Sequence, residues 1–375
     1  MKMSLRASFT RTGVVLGAGA LVASLAACGS SSDATSGESD SSAASGDATT
    51  SELSGSLAGA GASSQESAME AWKAGFAALQ PDVTLSYDAV GSGAGITQFT
   101  DGQVAWAGSD APLEGDDIAA AESRCGGPAW DLPVYVSPVA VIFNLDGIDS
   151  LNLDAATIAK IFRGDITKWN DPAIAATNSG VTLPDLAITP VHRSDESGTT
   201  ENFTDYLHAA APDVWTDEAA KAWPISGGES GDKTAGVVQA VQAGTGTIGY
   251  ADASQAGSLG TAALETKDGS FVAFSNDTAA KAAETATKVE GTDTHDIALS
   301  VDRVPATNDS YPLILISYSI VCSTYSDANE GALVKAFVGY QVSEDGQNQA
   351  AEAAGSAPLS EALRTQVQAS LDAIK

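Results

Sequence analysis

The amino-acid sequence predicts an α/β fold with two lobes. Strand-like apolar runs alternate with segments of helical periodicity along the chain, which is typical of layered α/β domains. About 320 residues follow a low-complexity N-terminal region, and single hydrophobic cores stop growing at roughly 250 to 300 residues. No repeat with a period of roughly 20 to 50 residues is visible, which argues against a solenoid or a propeller.

The first long helix is predicted just before Pro81. Four apolar residues from Met69 to Leu79 recur there at spacings of three, four and three. A capping box, Ser-Ser-Gln-Glu at 63–66, predicts where this helix begins. Strands are predicted at six short apolar runs, which lie at 83–87, 104–107, 134–143, 186–191, 247–250 and 312–321.

The N-terminus has the features of a lipoprotein export signal. Basic residues between Lys2 and Arg11 precede an apolar run at 14–25. This run is interrupted and shorter than the roughly 20 apolar residues of a membrane-spanning helix. A lipobox, Leu-Ala-Ala-Cys, ends at Cys28. We expect residues 1–27 to be removed and Cys28 to carry lipid, which would anchor the chain at the outer face of the cell membrane. The alternative is a chance cysteine behind an uncleaved anchor.

Residues 28–56 are expected to form a flexible tether between lipid and folded body. They are almost entirely Ser, Gly, Ala, Thr and Asp, a composition that cannot bury enough apolar surface to order itself. A coil of this composition reaches about 30 Å. The formal net charge of the chain is −30, and no basic patch interrupts it. This charge argues against nucleic acid or an anionic lipid surface as a partner.

Two cysteines remain once Cys28 is assigned to lipid. In an exported protein, oxidising conditions permit Cys125 and Cys322 to form a disulfide. The alternative is a pair of buried free thiols. A metal site is not expected, because none of the three histidines has ligand spacing to either cysteine.

Three segments place a small, Gly- and Ser-rich turn directly before an amphipathic helix, at 59–64, 91–95 and 193–200. The start of a helix presents unpaired backbone N–H groups and a partial positive charge, so each turn is a potential anion site. One such turn alone would be ordinary helix capping. Three of them favour a common anion-binding site.

The third turn also carries a permanent charge. Arg193 offers a planar fork suited to an oxyanion, and Asp195 is placed to hold that fork. Ser197, Gly198 and Thr199 then supply hydroxyl and N–H donors at the predicted helix start. The alternative for the charged pair is a surface ion pair of little energetic value.

Other functional classes find less support. No G-x-S-x-G elbow, H-E-x-x-H or P-loop occurs, and the acids are scattered rather than clustered for a metal-dependent phosphatase. A G-x-G-x-x-G match at 244–249 follows a helix and precedes a strand, the reverse of a dinucleotide-binding turn. His192 could act as a base for Ser197, but a packed or exposed histidine explains it as well. An adhesive surface lipoprotein would not explain three anion turns.

Six motifs together resemble the phosphate-binding lipoproteins of ABC phosphate importers, the PstS-like proteins. They are GAGAS at 59–63, GSGAG at 91–95, AGSDAPL at 107–113, RSDESGTT at 193–200, WPI at 223–225 and IGY at 248–250. The resemblance implies a type II periplasmic-binding-protein (Venus-flytrap) fold with a two-strand hinge. It also implies capture of inorganic phosphate, delivery to ABC permease subunits, no cofactor, no catalysis and a monomer. Arsenate shares phosphate's shape and protonation, so the sequence does not separate the two.

The same resemblance implies the site residues. The ligand contacts fall on Ala62, Ser63, Ser64, Ser92, Asp110, Arg193, Ser197, Gly198 and Thr199, with Asp195 orienting Arg193. Asp110 would accept the proton of phosphate and repel sulfate, which has none to give. The alternative for Asp110 is a turn cap. The chain departs from the family in having Ser-Ser-Gln at 63–65 where Thr-Phe-Pro is common, and Gly93 where a second serine is usual.

The chain is expected to cross between the two lobes twice. Residues 57–135 and 312–375 would form lobe I, and residues 136–311 would form lobe II. The strands near 134–139 and 312–321 would be the crossovers. Cys125 and Cys322 would then both lie in lobe I near the hinge.

Overall fold

The computed structural model describes residues 53–290 and 292–375. The expected export signal, the lipidated Cys28 and the tether up to residue 52 lie outside the described residues. The first strand begins at Gly55, so the last residues assigned to the tether belong to the folded unit. Within the described part of the chain, no helix has both the length and the apolar character needed to cross a membrane.

Strands and helices alternate, as predicted. The strands are β1 (Gly55–Gly61), β2 (Val83–Asp88), β3 (Trp106–Ser109), β4 (Ala129–Phe143), β5 (Ser150–Leu153), β6 (Thr189–Arg193), β7 (Glu229–Gly231), β8 (Thr247–Asp252), β9 (Gly260–Glu265), β10 (Phe271–Val272), β11 (Thr287–Lys288), β12 (Leu299–Ser300) and β13 (Ile314–Cys322). The helices are α1 (Glu66–Leu79), α2 (Ser92–Thr100), α3 (Asp116–Cys125), α4 (Ala155–Arg163), α5 (Pro172–Thr177), α6 (Gly198–Ala210), α7 (Lys233–Ala243), α8 (Asn276–Glu284), α9 (Ala328–Gln341), α10 (Glu344–Ala354) and α11 (Glu361–Ala373).

One long strand, β4, joins the two halves of the main sheet. The sheet runs in the order β2-β1-β3-β13-β4-β8-β6-β7, with β5, β9 and β10 branching from β4. From Ala129 to Pro138, β4 pairs antiparallel with β13; from Val139 to Phe143, it pairs antiparallel with β8. Its side chains are buried along almost its whole length, which explains the continuous apolar run in the sequence.

Helix α1 packs against the C-terminal helices. Met69, Trp72 and Phe76 form its buried face, and the Trp72 Nε1 donates a hydrogen bond to the carbonyl of Gly346 in α10 (2.8 Å). The expectation that Leu79 belongs to this face is wrong: it is 58% exposed, because it is the last residue of the helix. Residues far apart in sequence thus build one core.

The predicted disulfide is confirmed. Cys125, the last residue of α3, is bonded to Cys322, the last residue of β13, with 5.2 Å between the Cα atoms. The bridge closes a sequence separation of 197 residues. It therefore ties the returning C-terminal strand to the N-terminal part of the fold.

The capping box predicted at the start of α1 is wrong. The residue before the helix is Gln65, and no side-chain hydrogen bond caps it. The two serines that precede it use their hydroxyls on partners far away in the sequence, described below. All six predicted strands correspond to observed ones, whereas β1 and the short strands β5, β7 and β9–β12 were not predicted.

Candidate functional site

Helices α1, α2, α6 and α7 begin close to one another. The hydroxyl of Ser63, which precedes α1, hydrogen-bonds to Thr234 Oγ1 in the first turn of α7 (2.9 Å). A Cβ atom added to Gly198, the first residue of α6, would lie 2.9 Å from the Oγ of Ser92, the first residue of α2. The three predicted turns therefore converge, and α7 supplies a fourth.

Asp110, which follows β3, connects these helix starts. Its carboxylate is buried, and Oδ1 accepts hydrogen bonds from the hydroxyls of Ser64 (2.5 Å) and Ser317 (2.8 Å). The other oxygen, Oδ2, accepts from Thr199 Oγ1 of α6 (2.9 Å). The backbone N–H of Asp110 donates to Ser92 Oγ (3.2 Å). Four separate segments of the chain thus contact one aspartate.

Opposing influences act on the pKa of Asp110. Burial raises it, because a charged carboxylate loses its hydration. The hydroxyls of Ser64, Ser317 and Thr199 lower it, and so does the positive charge of Arg193. The net effect is a pKa above the usual value. The ionised form of Asp110 therefore depends on its hydrogen-bond donors.

Arg193 is held in a fixed orientation by Asp195, as the sequence predicted. Nε of Arg193 donates to Asp195 Oδ1 (2.7 Å) and Nη2 donates to Oδ2, an arrangement that leaves Nη1 outside the pair. Burial opposes the ionisation of Asp195, but the hydrogen bonds and charge of Arg193 outweigh it, and its pKa is lowered. A Cβ on Gly91 would lie 2.5 Å from Asp195 Oδ2, so only glycine fits there.

The turn before α7 also lies at the candidate site, although it was not predicted from the sequence. The backbone N–H of Lys233 donates to Asp195 Oδ1 (3.0 Å), and that of Thr234 donates to Ser63 Oγ (3.1 Å). Lys233 has a φ of 60°, the one positive value among the described non-glycine residues. Such strain is typical of functional sites. The signal was the small, polar stretch Ser-Gly-Asp-Lys-Thr at 230–234 before an amphipathic helix.

Two predicted donors are partly occupied within the fold. The N–H of Ala62 donates to the carbonyl of Gly108 (2.9 Å), so it serves the sheet rather than a ligand. The N–H of Ser197 donates to the carbonyl of Lys221 (2.9 Å). The hydroxyl oxygen of Ser197 accepts from the N–H of Thr200 (3.2 Å) as a helix cap. The Ser197 hydroxyl still has its own proton to donate.

The structure gives ordinary roles to the residues behind the rival hypotheses. His192 stacks on Trp223, with ring centroids 4.8 Å apart, and its Nδ1 lies 2.8 Å from the Arg193 carbonyl oxygen. The G-x-G-x-x-G match begins in the loop just after α7 and ends within β8, so it follows a helix and enters a strand, as its order in the sequence predicted. Within residues 53–290 and 292–375, no group of three or more His, Cys, Asp or Glu side chains is arranged to hold a metal ion.

Known proteins resemble this chain along most of its length. A family profile described as a PBP superfamily domain matches residues 42–345. The phosphate-binding protein PstS3 of Mycobacterium bovis is 42% identical over 329 residues, which cover 86% of this chain and 88% of that protein. The phosphate-binding protein PstS 3 of Mycobacterium leprae is 39% identical over 370 residues, 96% of this chain and 98% of its own length.

Solved structures share the fold at lower sequence identity. A phosphate-binding protein from Stenotrophomonas maltophilia has a TM-score of 0.66 at 21% identity, over 84% of this chain and 93% of that one. A putative phosphate ABC transporter substrate-binding protein from Clostridium perfringens, solved with bound phosphate, has a TM-score of 0.58 at 20% identity, over 82% of this chain and all of that one.

Proposed function

The chain belongs to the PBP superfamily and, within it, to the phosphate-binding proteins named PstS, and we propose that it captures inorganic phosphate outside the cytoplasm and delivers it to an ABC-type importer. Its fold is the two-lobed periplasmic-binding-protein fold predicted from the sequence. Its relatives are named as phosphate-binding proteins, which supports a function in binding and transport rather than in catalysis.

One observation carries this proposal: four helix N-termini and a buried arginine converge around Asp110. Backbone N–H groups and hydroxyls at helix starts suit a small tetrahedral oxyanion, and the guanidinium of Arg193 adds a permanent charge. We assign as phosphate ligands the residues predicted from sequence, with the turn before α7 added. They are Ser63, Ser64, Ser92, Asp110, Arg193, Ser197, Gly198, Thr199 and Thr234, with Ala62 beside them in the first turn and Asp195 as the support of Arg193.

Asp110 gives the proposed site its selectivity. Near neutral pH, phosphate retains a proton that an ionised carboxylate can accept, whereas sulfate has none and meets an unrelieved like charge. The carboxylate already accepts hydrogen bonds from three hydroxyls, which is the behaviour of an acceptor rather than a donor. Arsenate has the same shape and protonation, so Asp110 would accept a proton from arsenate as well.

Ligand capture would use closure of the two lobes. We propose that 57–135 with 312–375 form lobe I and 136–311 form lobe II, with β4 and β13 as the crossovers. Three hydrogen bonds cross this boundary, which supports a ligand position between the two proposed lobes. The Oγ of Ser63 bonds to Thr234, its carbonyl accepts from Gln255 Nε2 (2.9 Å), and Asp110 accepts from Thr199. These contacts would form as the cleft closes on the ion and break as it opens.

The surroundings of the site fit a local mechanism of attraction. The formal charge of −30 cannot draw an anion from a distance, and salt screens such fields beyond roughly 8 to 10 Å. Affinity would come instead from desolvated donors held in place. We further propose a monomer that is attached to the membrane through lipid on Cys28 and that meets the permease subunits there.

Isothermal titration calorimetry with phosphate and with sulfate tests the proposal. We expect a saturable one-to-one isotherm for phosphate and much weaker binding of sulfate. Steady release of phosphate from an ester would indicate an enzyme instead. A protein that binds neither anion would contradict the proposal.

A further inference from the structure

A buried serine on β13 contacts the aspartate of the proposed site. Ser317 is 207 residues away from Asp110 in sequence and fully buried. Its hydroxyl lies 2.8 Å from Asp110 Oδ1 and 3.1 Å from the carbonyl oxygen of Ser109. A hydroxyl has one proton to give, and a carboxylate is a stronger acceptor than a neutral carbonyl. The hydroxyl of Ser317 therefore donates its hydrogen bond to Asp110 Oδ1 rather than to the carbonyl of Ser109.

Gln65 fixes the direction of this hydrogen bond. Its side chain is fully buried, and its Nε2 donates to the Oγ of Ser317. An amide N–H can only donate, so Ser317 accepts from Gln65 and must direct its own proton elsewhere. The chain of donors runs from Gln65 through Ser317 to Asp110.

The other groups around Asp110 do not by themselves decide its charge. Burial opposes ionisation, and Arg193 favours it. Asp252 on β8, Tyr87 on β2 and Tyr135 on β4 also lie within electrostatic reach. Asp252 is a like charge when ionised, and the two phenols are neutral at physiological pH. Hydrogen bonds donated to Oδ1 therefore offset the burial and the like charge that oppose ionisation of Asp110.

We propose that Ser317, directed by Gln65, is a specificity-determining positioning residue, which keeps the Asp110 carboxylate ionised and its Oδ2 turned towards the ligand. This inference rests on the proposed phosphate-binding function. Ser64 supports the same oxygen, but it is already among the assigned ligands. Ser317 is not: it acts on the ligand only through Asp110.

The test is the pH dependence of sulfate binding to the full-length chain carrying Ser317→Ala. Sulfate does not titrate near neutral pH, so its affinity reports the protonation of Asp110: it tightens as the carboxyl takes up a proton. Without this hydrogen bond to its charged form, Asp110 should take up its proton about one pH unit higher. At pH values between the two midpoints, the variant should bind sulfate about tenfold more tightly than the unsubstituted chain. Gln65→Met should move it in the same direction by less.

Ser319→Ala is the matched control. Ser319 is buried on the same face of the same strand, but it donates to Gln341 Oε1 (2.9 Å) instead. Its pH profile should match the unsubstituted chain. If the chain binds phosphate and neither Ser317→Ala nor Gln65→Met moves the sulfate profile, the inference is wrong and the proposed function stands. If the unsubstituted chain does not bind phosphate, both fail.

Discussion

Replacing Asp110 by asparagine should put a hydrogen-bond donor where the site now has an acceptor facing the ligand. Oδ1 of Asp110 accepts two hydroxyls, from Ser64 and Ser317, whereas Oδ2 accepts one, from Thr199. An asparagine has one acceptor oxygen and one NH2 group. The oxygen should keep the two hydroxyls, because the opposite orientation leaves two donors facing an NH2 group. The NH2 would then point towards Thr199 and the ligand.

The size of the effect follows from one charge-assisted hydrogen bond. Phosphate would lose its bond to the carboxylate, worth about 1.5 kcal/mol or more, which is about tenfold in affinity. Sulfate would lose a like charge and gain a donor, and should bind about tenfold more tightly by the same estimate. The preference for phosphate over sulfate should therefore fall by about a hundredfold.

Calorimetric titration of both anions at pH 8 measures this ratio. The control is Asp252→Asn, which also removes a buried carboxylate, one bonded to Ser254 and Tyr135 rather than to the assigned ligands. Its ratio should stay within about twofold of the unsubstituted chain, a change below 0.5 kcal/mol. An unchanged preference in Asp110→Asn would refute the assignment of Asp110 as the selecting residue.

Three further predictions concern closure, stability and pH. Thr234→Val removes the hydroxyl that bonds to Ser63 across the cleft, and should speed phosphate release about fivefold in stopped-flow experiments, since such a bond is worth about 1 kcal/mol; an unchanged rate would count against closure through α7. Replacing Cys125 and Cys322 by serine should lower the free energy of unfolding in urea by about 2 to 5 kcal/mol, and no loss would mean that the bridge adds nothing to stability. Burial raises the pKa of Asp252 to about 7, whereas in the unfolded chain it is about 4. Between these two pH values, the folded protein holds a proton that the unfolded chain has lost. Stability should fall as pH rises through that window, and Asp252→Asn should flatten the fall in urea midpoints; identical slopes would contradict the shift.

The sequence predicted the parts of the site that form within one short segment. The turn at 193–200 contains Arg193, its partner Asp195 and the start of α6, and local spacing alone brings these groups together. The strand in the region 134–143 was also predictable, because burial on both faces leaves a continuous apolar run. Its first five residues were missed, since Asp131 and Pro133 interrupt that run.

The parts that sequence reasoning missed depend on contacts between distant segments. A single serine in an apolar strand, such as Ser317, gives no local signal of the carboxylate 207 residues away. The predicted capping box does not form for the same reason, because Ser63 hydrogen-bonds to Thr234, 171 residues away, instead of capping its own helix. Capping rules consider only partners close in sequence, whereas a binding cleft brings in hydrogen-bond partners from distant segments.

In the proposed site, distant helix starts and one arginine hold the same small anion. A crystal structure of the protein grown with phosphate tests this most directly. We predict one tetrahedral anion within hydrogen-bonding distance of Ser63, Ser92, Thr199 and Arg193, with one of its oxygens against Asp110 Oδ2. Phosphate bound elsewhere on the protein, with these five residues in contact only with one another, would contradict it.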